Sequence, residues 1–379
     1  MSARAVARGI VVPPARLAAS GLVKFRTSRW PDHSRLFALG DRSSWSVEED
    51  AEQLAGTARR LGFEVGPPRW ASFAERQSVF HASHFEALSL RWLASSHRLG
   101  TAYLHGRPGT PGFPEFDTTF EALRGHPGRL ERIQVTHTEM HELVLSAGVD
   151  PARVFRIPIG IDLEHFPSVS PESRGEARRL LDLSDDAFVV GSFQKDGVGW
   201  GEGAEPKLVK GPDVLVAALE RARAGAPELV VLLTGPARGY VRGELARLGI
   251  PRRHVLARSR GELSRAYHAL DVYVVPSRQE GGPKGVLEAM ASGVPLVSTR
   301  VGQAPDIVES GGNGLLVDVE DAEGIAEAVL LVRDDRALAA AFAVAGRRTA
   351  EKYAHERLDA AWAQLLDGFV VRDERRAGD

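Results

Sequence analysis

A chain of 379 residues, 43% hydrophobic and 26% charged, has the length for two domains and the composition of a folded globular protein, which excludes disordered, collagenous and coiled-coil chains. Lys and Arg number 48 against 50 Asp and Glu, a formal charge of -2; with no cationic surplus to neutralise a phosphate backbone, nucleic acid is excluded as the main partner. Cys is absent, which removes disulfides, thiolate zinc sites and a cysteine nucleophile together and suits a reducing cytoplasm.

No apolar run approaches the ~18 residues needed to cross a bilayer. The chain opens with Arg4, Arg8 and an apolar Ile10 to Val12, but Pro13, Pro14 and Arg16 interrupt it, so this segment reads as an N-terminal extension rather than a secretion signal. Periodicity then predicts a strand at Leu36 to Leu39, a helix from Val47 to Leu61 opened by a capping box at Ser46 and Glu49, and strands at Phe63 to Val65 and Ser78 to Ala82. A helix from Glu86 to Ser96 and strands at Thr101 to Leu104, Arg132 to Thr136 and Val154 to Ile157 follow, with a helix from Glu139 to Ser146 before the last of them. The stretch from Ile159 to Asp185, with Pro167, Pro171 and little periodicity, reads as a connector.

Beyond it, short β-rich runs alternate with amphipathic segments, the pattern of βα units that build a parallel sheet covered on both faces. Strands are expected at Phe188 to Phe193, Leu229 to Thr234, His254 to Ala257, Asp271 to Pro276, Pro295 to Ser298 and Gly314 to Val317. Helices are expected at Asp213 to Arg223, Tyr240 to Leu248, Glu262 to Leu270, Pro283 to Ala291 and Ala322 to Val332. After Ala339 to Ala345, an amphipathic stretch from His355 to Phe369 has no strand to follow and is expected to pack across domains. The expected architecture is α/β: a Rossmann-like domain over 1–165, a linker over 166–186, a second Rossmann-like domain over 187–352, and a terminal helix over 353–379 crossing back to the first.

The most informative stretch runs from Val274 through Glu280-Gly281-Gly282-Pro283-Lys284-Gly285 and Glu288-Ala289-Met290-Ala291 to Pro295. A buried strand ends in a glycine loop and a helix opens, with Pro283 suited to its first turn and Gly293 to its stop. Gly281 and Gly282 permit close backbone approach by a ligand, and the free N–H groups of the helix start favour an anion. Glu280 sits at the loop mouth and Glu288 about two turns along, on the order of 8–10 Å further by helical rise. Such a pair, taken in isolation, reads first as a loop charge and a solvated helix residue.

In its frame, the stretch resembles the Glu-x7-Glu signature of the family 4 retaining glycosyltransferases, and the resemblance continues through Val301 to Val308 and Gly312 to Val317. It implies a GT-B fold, two Rossmann-like domains facing a central cleft, with a nucleoside-diphosphate sugar as donor on the C-terminal domain, the acceptor on the N-terminal side, and no cofactor or metal. By position it implies that Glu280 contacts hydroxyls of the transferred sugar and Glu288 those of the ribose. Gly281, Gly282 and Lys284 would offer N–H groups to the sugar or diphosphate, though Pro283 stands where the family usually has Gly. Lys210-Gly211 matches the pair whose ammonium binds the diphosphate. After the first-strand glycine, Gly191, the family's Arg is replaced by Ser192, with Lys195 the best local substitute. Fixed cations there would stabilise charge developing on the leaving diphosphate.

Val79 to His84 and Tyr103 to Gly106 resemble the family's two strand-end histidine motifs, which makes His105 the candidate beside the donor sugar; a histidine satisfied by loop backbone is the other reading. His81 and His84 lack a third ligand at zinc spacing. Asp318-Val319-Glu320-Asp321 reads as a helix cap rather than a metal site. No Gly-x4-Gly-Lys-Ser/Thr loop or Gly-x-Ser-x-Gly elbow occurs. The expected activity is retaining transfer of a sugar to an acceptor hydroxyl, saccharide, lipid-linked or small molecule, in the cytoplasm, with peripheral membrane contact compatible. A nucleotide-sugar epimerase or hydrolase on the same fold, and a binding protein without catalysis, are the rival readings.

Overall fold

The computed structural model describes residues 23–25, 27–41 and 45–372, with residues 45 and 46 given by backbone alone. The N-terminal extension therefore lies outside the described residues, as does the Ser46 side chain of the expected capping box. Five strands, β1 (Leu36–Leu39), β2 (Ser78–His81), β3 (Arg98–Ala102), β4 (Leu130–Val135) and β5 (Val154–Arg156), form a parallel sheet in that order. The strand expected at Phe63 to Val65 is reduced to one bridge between Val65 and the outer edge of Leu36. The chain thus runs from β1 outward through the helix Trp45–Arg60 and back across the other face to β2. That reversal makes β1 and β2 a switch point, where a doubly wound sheet opens its crevice at the carboxyl ends of the strands.

The second sheet has the order β11-β10-β9-β6-β7-β8, with every pair parallel. Its strands are β6 (Phe188–Ser192), β7 (Leu229–Thr234), β8 (Arg252–Val255), β9 (Val272–Val275), β10 (Leu296–Thr299) and β11 (Leu315–Val317). The central strands read as unbroken apolar runs because helices cover both faces. One face packs on Pro212–Gly225 and Ala322–Asp334, the other on Arg260–His268 and Lys284–Ala291. The switch point lies between β6 and β9, so the loops after Ser192 and Val275 share one crevice.

Several elements depart from expectation. The helix expected from Glu86 to Ser96 is two single turns, His84–Ala87 and Leu90–Leu93, parted at Ser89. β3 starts three residues before the expected Thr101, and β8 ends at Val255 rather than Ala257. Pro283 is not in the first turn of its helix: it sits in extended conformation at the N-cap, and the helix begins at Lys284. The connector carries the helix Pro171–Leu180, opened by a reciprocal capping box between Ser170 and Ser173. Ala177, Phe166 and Leu183 bind this segment into the core of the second sheet.

The chain crosses between lobes twice, and the crossings pair: the Ile161 N–H donates to the Tyr353 carbonyl at 3.0 Å and the His355 N–H to that of Ile161 at 3.1 Å. After the helix Arg336–Lys352, the tail forms a 3-10 turn and the helix Asp359–Leu366. Leu365, Leu366, Phe369 and Val370 complete the core under the first sheet.

Candidate active site

The loop after β9 is held by its neighbours before any ligand is considered. The Thr299 hydroxyl donates to the Ser277 carbonyl at 2.6 Å. Arg278 grips both Asp213 oxygens at 2.8 and 2.7 Å and Glu320 at 2.7 Å, tying this loop to the start of Pro212–Gly225. Gly211 turns the chain in the left-handed region at φ 61°, and a Cβ there would lie 2.0 Å from the Pro276 carbonyl oxygen. Those two loops therefore meet backbone to backbone. On the Leu208–Lys210 turn, Lys210 Nζ reaches the two Glu280 carboxylate oxygens at 2.7 and 2.6 Å. Ser277 Oγ lies 2.9 Å from Glu280 Oε1, and the Gln194 amide donates to the Lys210 carbonyl. The Glu280 side chain keeps 10% of its surface exposed, so this charge pair opens on the crevice.

Two turns along, Glu288 Oε2 accepts the Tyr267 hydroxyl at 2.8 Å. Burial raises its pKa above the ordinary carboxylate value, while the Tyr267 hydroxyl and the Lys284 charge oppose the rise. Gly285 lets the helix approach the sheet, since a Cβ there would lie 2.4 Å from the Tyr273 hydroxyl. Phe193 packs edge to face on Tyr267 and Tyr273, which tilt against each other, with ring centroids 4.8 to 5.3 Å apart.

Across the crevice, His105 leaves β3 beside Lys210 and Glu280. Burial, then the Lys210 charge, pushes its pKa down to about 4, so the ring is neutral at pH 7. It packs edge-on against Phe116 at 5.8 Å and His84 at 5.7 Å. His81 and His84 serve the lobe's interior: His81 packs on Trp92 at 4.7 Å, and His84 stacks on Tyr103 at 4.0 Å.

The remaining candidate residues face protein. A Cβ on Gly281 would fall 2.5 Å from Leu104 Cβ, and one on Gly282 2.8 Å from Ile159 and 2.9 Å from Gln303, so what stands close to these glycines is Leu104 and Ile159 of the opposite lobe and Gln303 of their own. Thr136 donates to the Gly281 carbonyl from that lobe. Lys284 pairs with Asp50 at 2.8 Å and Glu49 at 3.2 Å, on the helix after β1. Gly191 lies within β6, where a Cβ would meet Leu270 at 2.3 Å. Ser192 is buried with its hydroxyl unpartnered, and Lys195 Nζ lies 4.5 Å over the Trp200 ring.

Between the lobes lies a cavity with about 850 Å³ of empty space, partly open to solvent, whose walls include Glu49, Asp50, Gln53, Arg260, Lys284 and Glu288. Glu280 and Lys210 are not among its walls. The acidic cluster at 318–321 is used locally: Asp318 pairs with Arg300, Glu320 with Arg278, and Asp321 caps the helix Ala322–Asp334. Among the described residues no helix is long and apolar enough to cross a membrane.

Tyr267, Gln194, Ser277, Glu49 and Asp50 are site residues that sequence reasoning missed. Ser277 stands three residues before Glu280 in the same loop, and the acidic Glu49-Asp50 pair lies near the start of the helix after the first strand; Tyr267 and Gln194 are brought in by contacts across the fold.

Comparison with known proteins bears on this arrangement. Residues 203–335 match the family described as glycosyl transferases group 1. A D-inositol 3-phosphate glycosyltransferase of Streptosporangium roseum is 34% identical over 303 residues, 72% of this chain and 65% of that protein. One from Actinosynnema mirum is 36% identical over 198 residues, 48% of this chain and 44% of that protein. The chain spans about half the length of the first of the curated relatives it matches. Among solved structures, HepE of Anabaena in complex with UDP and glucose superposes with TM-score 0.71 at 17% identity, over 89% of this chain and all of that one. Sucrose-phosphate synthase from Thermosynechococcus elongatus gives 0.64 at 21%, over 85% of this chain and 78% of that one. The matched segment and the two facing sheets agree: residues 203–335 belong to the group 1 glycosyltransferases, and the chain has the GT-B fold.

Proposed function

We propose that this protein transfers a sugar, with retention of anomeric configuration, from a nucleoside-diphosphate donor to an acceptor hydroxyl. The observation that carries the reading is the Lys210–Glu280 pair at the β6/β9 crevice, with Glu288 two turns along the adjoining helix. Glu280 would accept a hydroxyl of the donor sugar and Glu288 the ribose hydroxyls. Lys210, released in part from Glu280, would meet the negative charge that grows on the diphosphate as the anomeric carbon–oxygen bond breaks. The acceptor oxygen bonds to that carbon from the same face, and its proton passes to the departing phosphate oxygen. That balance needs no protein nucleophile. His105, neutral and on the acceptor side, would hydrogen-bond near the transferred sugar. The relatives' names, among them a GDP-mannose-dependent mannosyltransferase acting on a phosphatidylinositol mannoside in Mycolicibacterium smegmatis, 32% identical over 240 residues, support a nucleotide-sugar donor.

The test is a screen of nucleotide sugars against saccharide, lipid-linked and small-molecule acceptors, with the product's anomeric configuration read by NMR. Glu280→Ala and Lys210→Ala are expected to lower transfer about a hundredfold or more at nearly unchanged melting temperature. Normal turnover in both would remove the site assignment. Release of free sugar, or of an epimerised donor, without a glycosylated product would favour the hydrolase or epimerase reading.

A further inference from the structure

A group 1 site that lacks a cation after its first strand must find that charge elsewhere, and the long loop between β6 and Leu208–Lys210 is built to deliver it. At its neck the two arms pair: the Lys207 N–H donates to the Asp196 carbonyl at 2.7 Å, Gly197 bridges Pro206, and the Val198 N–H donates to the Glu205 carbonyl at 2.9 Å. The neck lies on the start of the helix Gly239–Arg247. A Cβ at Gly197 would fall 2.3 Å from the Ala237 carbonyl oxygen, and the Gly239 N–H donates to the Glu202 carbonyl at 2.7 Å. Beneath it Arg238 and Asp196 form an ion pair at 2.9 Å with both side chains 0% exposed. Arg238 also donates to the Ser192 carbonyl at 2.6 Å and the Thr234 carbonyl at 3.1 Å, so one guanidinium joins the neck to the ends of β6 and β7. Its own charge is spent on Asp196 and does not reach the crevice.

The cations nearest Lys210 stand on the neck. Lys195 and Lys207 flank the paired arms, and Lys207 is the N-cap of the 3-10 turn that ends at Lys210. The Lys207 ammonium lies within electrostatic reach of Lys210, Lys195 and Glu280, and of Glu115 on the first lobe. Lys210 has Glu280 as its counter-ion, whereas neither Lys195 nor Lys207 has an ion-pair partner among the described residues. Burial, then the neighbouring ammonium charges, hold both below the ordinary lysine pKa.

We propose that Lys207, with Lys195 beside it, binds the diphosphate of the donor in place of the cation that Ser192 lacks. This rests on the donor reading above. Lys207 then touches the leaving group, while Lys195 closes over it with Trp200, which is 51% exposed at the loop's rim.

Calorimetric titration of the full chain with UDP, GDP and ADP, each against its monophosphate, tests it. The wild type is expected to prefer one diphosphate over its monophosphate. Lys207→Gln should lower diphosphate affinity about ten- to a hundredfold while leaving the monophosphate within about twofold, Lys207→Arg should restore the preference, and Lys195→Ala should show a smaller loss of the same kind. A Lys207→Gln protein with wild-type melting temperature and an unchanged diphosphate preference overturns the assignment. A wild type that binds no nucleotide at all overturns the donor reading itself, a distinct result.

Discussion

His81 and His105 leave adjacent strands of one sheet, and burial drives both rings toward the neutral form, His81 down to about 3 and His105 to about 4. Both values lie below the ordinary histidine value near 6.5 of the unfolded chain. The unfolded state therefore binds more protons in the interval between, so these rings contribute stability that is present above pH 6.5 and lost as pH falls toward 4 and then 3. The melting temperature is expected to fall between pH 6.5 and 4, and His81→Leu should flatten that slope, measured by calorimetry at pH 7.5, 6 and 5. An unaltered slope would mean that His81 is solvated. At this scale the sequence was legible where chemistry is contiguous: Glu280 and Glu288 share one loop and helix. The meeting of Lys210 with Glu280, seventy residues apart, is a property of the fold. Gly281 and Gly282 read as ligand contacts from the sequence, and the fold adds what would meet a Cβ at either: Leu104, Ile159 and Gln303.

Among elements, the tight turn at Gly211 matters most to the site. Its positive φ, and the Pro276 carbonyl oxygen 2.0 Å from where a Cβ would stand, leave no room for a side chain. Gly211→Ala is expected to cost about 1–3 kcal/mol in backbone strain and to abolish transfer by displacing Lys210. Gly249→Ala, at φ 64° with nothing within 4 Å, provides the control: it should cost only about 1–2 kcal/mol and leave transfer intact. Equal effects of the two on activity would mean that the turn does not position Lys210. The strands of the second sheet were legible because continuous apolar runs have one explanation in a covered parallel sheet. Helix limits were less so. Pro114–Gly125 went unread because it follows the glycine- and proline-rich 106–112 and buries only Phe116, Thr119 and Leu123, too few for a periodic signal. The helix expected from Glu86 is broken at Ser89, a break that apolar spacing does not register.

For the whole molecule, the lobes touch through charged and backbone contacts: Lys284 with Asp50 and Glu49, Arg260 with Glu49 at 3.6 Å, Arg156 with Asp306 at 2.7 Å, and the Ile159 N–H with Gln303 Oε1 at 2.8 Å. Burial disfavours the Lys284 ammonium, but the Asp50 and Glu49 carboxylates outweigh it and raise its pKa. On the donor reading proposed above, an entering nucleotide sugar would part these groups. The double variant Glu49→Gln, Asp50→Asn is therefore expected to show a larger radius of gyration than wild type by small-angle scattering without ligand, and added salt should narrow the difference by loosening the wild type. Identical scattering of both proteins at low salt would show that these pairs do not hold the lobes together. Two Rossmann-like lobes were legible from the repeated βα pattern; their mutual orientation was not, because it depends on contacts such as Ile159 with Gln303, 144 residues apart.

The return of Leu365, Leu366, Phe369 and Val370 to the first sheet has a further consequence. On the ribosome, the lobe synthesised first must wait with part of one sheet face uncovered until almost the last described residue has emerged. The lobe synthesised second draws its interior from Ile161 to Ala350 and can close it beforehand. Birth order and order of completion are thus reversed, and the late-arriving strap fastens the older half to a partner already formed.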